Sequence, residues 1–151
     1  MGSRRHASVH LRRTGPYRYV ATNEAGASIE LGRGEGLFNP VELLMAAAGA
    51  CSAIDVDAGV SPVSEPADFR VRVAGEWGPD EAGASAIDHL AMDFHLEFCA
   101  DESGDRAADL VAELVRTSHD RDCTVGRTVE HPTRVDALVD GAVVASSRAG
   151  K

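Results

Sequence analysis

Short runs of β-forming residues open the chain and are separated by turn residues. Residues 7–14 and 17–23 flank the dipeptide Gly15-Pro16, and a third run, ASIELG, follows a polar turn at 23–26. β-Branched and aromatic residues favour strands, whereas glycine, proline and asparagine favour the turns between them. The pattern therefore predicts three strands, which the glycine-rich loop GRGEGLFNP connects to the next element.

The segment NPVELLMAAAGACSAIDV, residues 39–56, is apolar on nearly every side. Asn39 suits the N-cap of a helix, Pro40 suits its first position, and Glu42 completes a capping box. A helix without a polar stripe is expected to be buried on most sides. The small residues at its centre would let another helix or a partner chain approach closely. We therefore predict a central helix here.

Downstream of this helix, the pattern changes from strand to helix and back to strand. Apolar residues alternate with polar ones at 69–77 and at 90–99, whereas residues 103–119 repeat apolar positions at helical spacing. A short helical turn is predicted around CTVGRTVEH, ending before Pro132, and residues 133–147 are strand material. The order βββ-α-ββ-α-β predicts a single α+β domain over residues 1–151, with helices packed on antiparallel sheet.

The charge and the cysteine content of the chain limit the kinds of binding partner and the cellular compartment that we expect. Acidic side chains outnumber basic ones by 24 to 15, so the formal net charge is -9. This charge repels phosphate backbones and anionic lipid, and no stretch was expected to reach the ~20 apolar residues of a membrane span. Three widely spaced cysteines do not form a secreted disulfide framework. We therefore expect a cytoplasmic protein with free thiols that binds neither nucleic acid nor membrane.

The candidate chemistry lies in the thiols. Cys51 shares a helix face with Asp55, and a cysteine among alanines is ordinarily a small buried hydrophobe. Cys123 lies in the polar stretch SHDRDCTVGRTVEHP, at the predicted start of a helical turn whose N–H groups would favour a thiolate. Cys99 alternates with Glu97 on the polar face of a predicted strand, where it has no evident role. A functional thiol and a packing residue both remain open for Cys51.

The histidines do not have the spacing of a metal site. His89 and His95 share a strand face but are about 20 Å apart at the usual rise of a strand, too far to bind one ion. His119 and Cys123 are four residues apart, yet no further ligand pair is spaced to join them. We predict neither a bound metal nor another cofactor.

With both cysteine segments in view, the chain resembles the OsmC/Ohr family, the osmotically inducible and organic-hydroperoxide-resistance proteins. NPVELLMAAAGACSAIDV is similar to the family's pattern of a proline, acidic residues, a Leu-Leu pair, an alanine-rich turn and a cysteine. SHDRDCTVGRT is similar to its later cysteine segment. The resemblance covers nearly the whole chain. It implies an OsmC-like fold, in which a curved antiparallel sheet surrounds two central helices, and an intertwined homodimer.

The resemblance also implies an activity. In the peroxidase members, the helix cysteine attacks an organic hydroperoxide and becomes a sulfenic acid, which the later cysteine converts into a disulfide. On this pattern Cys51 attacks and Cys123 resolves, and a dithiol such as dihydrolipoamide reduces the disulfide. The chain would then be a hydroperoxide reductase. The alternative is an OsmC-fold protein without peroxidase turnover, which binds a small apolar ligand in a pocket at the dimer interface.

Two positions bear on that choice. Peroxidase members activate the thiol with an arginine of the N-terminal hairpin, and the resemblance points to Arg18, with Arg12 and Arg13 behind it. They also carry a glutamate directly after the helix proline, where this chain has Val41. Alignment with the family's hairpin puts the arginine position on Tyr17, and Arg18 is adjacent to it. The two cysteines favour the enzyme, whereas Val41 and the displaced arginine favour the binding protein.

Overall fold

The first three strands form an antiparallel meander, as the alternating pattern predicts. The computed structural model describes residues 3–131 and 133–147, and it forms two compact units that meet in sequence between Met45 and Ala46. Strands β1 (Val9–Gly15), β2 (Arg18–Asn23) and β3 (Ser28–Gly32) pair in that order in the first unit. At Gly32, φ is +149°, and a Cβ would collide with the Tyr17 carbonyl oxygen, so only glycine fits there.

The long apolar segment forms helix α1 (Pro40–Val60), whose start is capped as predicted. The Asn39 backbone N–H donates to Glu42 Oε2 at 2.9 Å, and the Glu42 N–H donates to Asn39 Oδ1 at 2.9 Å. This reciprocal pair satisfies two of the N–H groups that a helix start leaves without partners. The capping prediction for Asn39 and Glu42 is confirmed.

By length and composition alone, α1 could cross a membrane. Its most apolar 18-residue window has a mean hydropathy of 1.5, so the expectation that no stretch reaches spanning length was wrong. The core helix of a water-soluble protein passes the same test. Here one face of α1 is packed within the chain, where Val56 and Val60 are fully buried.

The second unit begins within α1 and continues as a long hairpin of β4 (Asp68–Pro79) and β5 (Ser85–Glu97). The predicted alternation holds on both strands. The odd-numbered residues of 69–75 on β4 and the even-numbered residues of 90–96 on β5 are half-buried, including Val71 and Phe94, whereas Arg72 and Asp93 are exposed. Nearer the hairpin turn the alternation stops, and Trp77 is 53% exposed. The half-buried face packs on the core around Val56.

The small residues of α1 lie against different neighbours from those predicted. A Cβ on Gly49 would overlap the Val73 side chain of β4, so at this position the small residue admits a strand and not the expected helix. A second helix approaches α1 further along its length, where the Leu114 side chain packs against Gly59. Ile54 is 67% exposed, so the expectation that α1 is buried on most sides was wrong for the chain by itself.

The helical turn predicted around CTVGRTVEH is present, and the strand material at the end of the chain forms two strands where the predicted order counted one. Helix α2 (Glu102–Thr117) continues into a π-helical turn (Ser118–Asp122), which is followed by helix α3 (Thr124–Glu130). Pro132, the predicted end of that turn, lies outside the described residues. Strands β6 (Asp136–Val139) and β7 (Ala142–Ser146) form an antiparallel hairpin.

The predicted α+β class is confirmed, with a difference in how the strands are joined. The described strands form three separate antiparallel sheets of three, two and two strands, and not one continuous curved sheet. Sequence patterns locate strands but do not specify which sheet edges meet. The single domain over 1–151 and the intertwined dimer stay predictions.

Candidate functional site

The two cysteines that the sequence singled out meet in the second unit. Cys51 lies on α1 and is half-buried, whereas Cys123 lies between the π-helical turn and α3 and is 1% exposed. The two thiols are neighbours, close enough for Cys51 to raise the pKa of the Cys123 thiol. Residues 72 positions apart in sequence thus form one dithiol pair.

The π-helical turn places Cys123 beside α1. The Cys123 backbone N–H donates to the Ser118 carbonyl oxygen at 2.8 Å, a bond that spans five residues where an α-helix would span four. Because the turn contains one extra residue, Ser118 and Cys123 both face α1. Single-turn π-helices are frequent at functional sites, and here the turn joins the Cys123 thiol to the buried Ser118 hydroxyl.

Opposing effects act on the Cys123 thiol. Burial raises the pKa of Cys123 most strongly, and the neighbouring Cys51 side chain raises it further. The Gly126 backbone N–H opposes both, because it donates to the Cys123 sulfur at 3.2 Å and lowers the pKa. The net direction is upward, so Cys123 is a neutral thiol at neutral pH. The expectation that helix N–H groups lie at this sulfur is met, but burial outweighs them.

A chain of hydroxyl groups runs from the dithiol pair to a carboxylate. Ser52 and Ser118 are each 1% exposed, and their Oγ atoms lie 2.8 Å apart. Ser118 donates to Asp55 Oδ2 at 2.8 Å, and the Ser52 side chain lies near Cys123, where it lowers the pKa of that thiol. Asp55, which was expected to oppose ionisation of Cys51 if unpaired, therefore has a hydrogen-bond donor.

The arginines that flank Cys123 are engaged with other groups. Arg121 pairs with Asp122 at 2.7 Å, and Arg127 donates to the Asp120 carbonyl oxygen at 2.6 Å and contacts His131 at 3.3 Å. The resemblance predicts that a cation of the N-terminal hairpin, Arg18, stabilises the Cys51 thiolate. Its role toward Cys51 stays a prediction.

Arg18, the predicted activating arginine, is the first residue of β2 and is exposed. Its guanidinium lies near Gly34 in the loop that follows β3. Arg12 and Arg13 are exposed on β1, where each pairs with a β2 residue. All three arginines belong to the first unit.

A second cation of that unit was missed by the sequence reasoning. The Arg33 guanidinium stacks over the Tyr17 ring at 5.6 Å, and Tyr17 occupies a left-handed turn with φ of 59°. The family pattern aligned its arginine with Tyr17. Arg33 is remote from that position in sequence, so no local signal would have pointed to it.

A cavity of about 410 Å³ adjoins the dithiol pair. Three of its lining residues, Ala48, Ser52 and Gly126, also contact Cys123. The rest of the apolar wall comes mainly from β5, with Val115 of α2 and Val129 of α3, whereas His119 and Glu130, which lie 3.4 Å apart, are polar. The volume is within the ~300–1,000 Å³ typical of small-molecule sites.

Cys99 is not on a strand, which corrects the sequence prediction. β5 ends at Glu97, and Cys99 lies exposed in the turn that leads to α2. Its carbonyl oxygen accepts a hydrogen bond from the Asp101 N–H at 2.9 Å and lies directly against Gly104. The backbone of Cys99 therefore has a structural role, and its thiol lies outside the site.

A surface group on the β4–β5 hairpin has metal-binding residue types. Asp68, His95 and Glu97 each offer an atom within 4.8 Å of the others. Arg70 pairs with Asp68 and lies 4.0 Å from Glu97, while His95 hydrogen-bonds Glu97 at 3.0 Å. These neighbours already neutralise the carboxylates, and we assign no metal to the group.

The sequence reasoning missed Ser52 and Ser118. Ser118 was counted in the apolar stripe of α2, because its position has the right helical spacing. Ser52 follows Cys51 directly and carried no separate signal. A buried serine at a core position is the available clue, since buried hydroxyls require partners.

Comparison with known proteins agrees with this fold. The model of the OsmC-like protein family matches residues 32–137. An uncharacterised protein of Mycobacterium tuberculosis strain H37Rv is 28% identical over 132 residues, which are 85% of this chain and 93% of that protein.

Two solved structures are similar in fold at low identity. An OsmC-like protein of unknown function from Vibrio cholerae has a TM-score of 0.71 at 11% identity, covering 84% of this chain and 95% of that one. The organic hydroperoxide resistance protein OhrB of Bacillus subtilis has a TM-score of 0.51 at 17% identity, covering 81% and 88%. Since the family model matches more than two thirds of the sequence, the chain belongs to the OsmC-like protein family.

Proposed function

We propose that the chain is a thiol-dependent peroxidase that reduces organic hydroperoxides through Cys51 and Cys123. The observation that supports the proposal is the proximity of the two thiols, one half-buried and one buried, beside a largely apolar cavity. A hydroperoxide with an apolar organic group suits such a cavity. Its peroxide end would lie at the residues that line both the cavity and Cys123.

The reaction balances with the two thiols and an external dithiol. The Cys51 thiolate attacks one peroxide oxygen, the O–O bond breaks, and the alkoxide takes a proton to leave as an alcohol. Cys51 is then a sulfenic acid. Cys123 attacks its sulfur, the S–O bond breaks, and the hydroxide leaves as water with the Cys123 proton. A dithiol such as dihydrolipoamide reduces the disulfide and becomes a disulfide itself.

The attacking thiol must be ionised, and Arg18 is the proposed source of that ionisation. An ordinary cysteine with a pKa of about 8.5 is only a few per cent thiolate at neutral pH. Lowering the pKa by two units requires about 2.7 kcal/mol of preferential stabilisation of the thiolate, which one desolvated arginine can supply. Free thiols in all three cysteines suit a reducing compartment, so we also propose a cytoplasmic location.

One equivalent of tert-butyl hydroperoxide should oxidise two thiols per chain. After reduction and removal of the reductant, we expect the free-thiol count to fall from three to one, with Cys99 alone still open to alkylation. Peptide mapping should locate one intrachain disulfide between Cys51 and Cys123. Hydrogen peroxide at the same concentration serves as the comparison oxidant. Retention of all three thiols, or pairing through Cys99, would contradict the proposal.

The cavity itself favours a second function, a binding protein without turnover. A largely apolar cavity of about 410 Å³ suits a small apolar ligand whether or not chemistry follows. The oxidation with tert-butyl hydroperoxide separates the two functions. A binding protein would keep its thiols reduced, whereas a small apolar ligand would still raise its melting temperature.

We also propose that the chain is a homodimer. Ile54 on α1 is 67% exposed, and both faces of the β6–β7 hairpin are exposed, including Val143 and Val144 at 59% and 63%. Exposed apolar surface of this kind is typical of interfaces. Light scattering should give the mass of two 15.9 kDa chains. The Val144→Glu variant should shift the measured mass toward that of one chain. The mass of one chain for the unmodified protein would contradict the dimer.

A further inference from the structure

Cys123 lies at a break between two helical segments. The π-helical turn closes at the Cys123 N–H, which donates to the Ser118 carbonyl oxygen at 2.8 Å. Helix α3 starts with the Arg127 N–H, which donates to the Cys123 carbonyl oxygen at 3.0 Å. Between these two bonds the backbone of Cys123 is extended, with ψ of 97°. Backbone hydrogen bonds therefore end on one side of the cysteine and begin again on the other.

The Arg127 side chain bridges this break. Its Nη1 donates to the Asp120 carbonyl oxygen at 2.6 Å, and its Nη2 donates to His131 Nε2 at 3.3 Å. The last carbonyls of a helix have no helical N–H partner, and the guanidinium supplies a charged donor to one of them. One half-buried side chain of α3 thus fastens the π-helical turn to α3 across Cys123.

We propose that Arg127 is a positioning residue that holds Cys123 beside α1, so that Cys123 captures the sulfenic acid of Cys51 before a second hydroperoxide reacts with it. The purpose rests on the proposed function, whereas the holding role rests on the hydrogen bonds alone. In the held position Cys123 is 1% exposed, and its sulfur lies 4.0 Å from the Ala48 carbonyl oxygen of α1.

The sulfenic acid of Cys51 has two competing fates. When Cys123 attacks the sulfur, the S–O bond breaks, water leaves and a disulfide forms. When a second organic hydroperoxide reacts instead, its O–O bond breaks, one oxygen passes to the sulfur and an alcohol leaves. The product is a sulfinic acid, which a dithiol does not reduce. A resolving thiol that spends time away from α1 therefore increases the share of the second fate.

Two other charged pairs of this region are independent of Arg127. Arg121 pairs with its sequence neighbour Asp122 at 2.7 Å, so that pair stays within the turn. His119 and Glu130 lie 3.4 Å apart and join the turn to the last residue of α3. Both pairs remain in a variant that lacks only the guanidinium. A change in such a variant then belongs to Arg127.

The first test measures local opening and needs no peroxide. In a chain carrying Cys51→Ala and Cys99→Ser, Cys123 is the sole thiol, and its reaction with iodoacetamide requires the buried sulfur to become exposed. Arg127→Met keeps the apolar part of the side chain but has no donor. We expect it to raise the alkylation rate about tenfold, since hydrogen bonds to charged groups are among the stronger ones. The increase should be nearly constant up to about 1 M urea, because local opening exposes little surface, whereas global unfolding depends steeply on urea.

Matched variants identify the interaction responsible. Arg127→Lys retains a charged donor and should restore most of the protection. Arg121→Ala removes another arginine beside Cys123 and should leave the rate unchanged. If Arg127→Met does not fold, Arg127→Gln takes its place, because a shorter neutral amide cannot make both contacts. An alkylation rate equal to that of the parent chain, or an equal rise in Arg121→Ala, would overturn the holding role.

The second test measures the purpose of the bridge. With all three cysteines present and excess tert-butyl hydroperoxide, mass spectrometry should find several times more sulfinic acid at Cys51 in Arg127→Met than in the unmodified protein. Equal amounts of sulfinic acid would overturn the capture role. Faster alkylation of Cys123 in a protein whose thiols resist the peroxide would contradict the proposed function and confirm the holding role, so the two failures are distinguishable.

Discussion

Cys51→Ser is expected to reduce the turnover of organic hydroperoxides by at least about 1,000-fold, the scale seen when an enzyme loses its nucleophile. A serine hydroxyl in the same place is not appreciably ionised at neutral pH and is a far weaker nucleophile than a thiolate. Consumption of tert-butyl hydroperoxide with dihydrolipoamide as reductant measures the effect. Cys99→Ser, which changes an exposed thiol outside the site, is the matched control and should retain full turnover.

Companion variants separate the other roles at the site. Cys123→Ser should still react once with peroxide, but it should accumulate a sulfenic acid at Cys51 in place of a disulfide.

Arg18→Ala should slow the attack of Cys51 on the peroxide about tenfold or more, since one unit of pKa is a tenfold change in thiolate at neutral pH. Arg33→Ala removes a cation of the same unit that stacks on Tyr17. Equal rates for Cys51→Ser and the unmodified protein would end the enzyme hypothesis.

Val56→Asp is expected to destabilise the protein by about 4 kcal/mol or more, because it buries a charge with no partner. Val56 is fully buried at the centre of the core, where α1 meets Ala107 of α2 and the inner face of the β4–β5 hairpin. Unfolding in urea, followed by circular dichroism, measures the loss.

Ala58→Asp is the matched control for that change. It introduces the same side chain two residues further along α1, at an exposed position, and should change stability by no more than about 0.5 kcal/mol. Similar losses in the two variants would show that the buried face of α1 has been assigned incorrectly.

Local patterns made much of this fold predictable. The Asn39–Glu42 capping box, the alternation on β4 and the spacing of α2 each depend on neighbours in sequence, and each is present in the structure. The cysteine of the apolar helix was recognised because a second thiol stood in a polar segment. These signals involve residues that are close in sequence, so they can be recognised without knowing the tertiary structure.

What could not be predicted depends on contacts between distant parts of the chain. Ser118 has the spacing of a core residue, and only the approach of α1 reveals that it links Ser52 to Asp55. Cys99 lies outside β5 because the pairing of β5 with β4 ends at Glu97. The separation of the strands into three sheets likewise depends on which edges meet, and strand propensity carries no information about that.

The five-residue π-helical turn imposes a limit on how the sequence can change in length. Residues 119–122 are polar and exposed, and such segments ordinarily tolerate the gain or loss of a residue. Here the loss of one residue would turn everything after Ser118 by about 100° around the helix axis. Cys123 would then leave α1 while its own side chain was unaltered. The spacing between a serine and a cysteine is thus as much a part of this site as either residue.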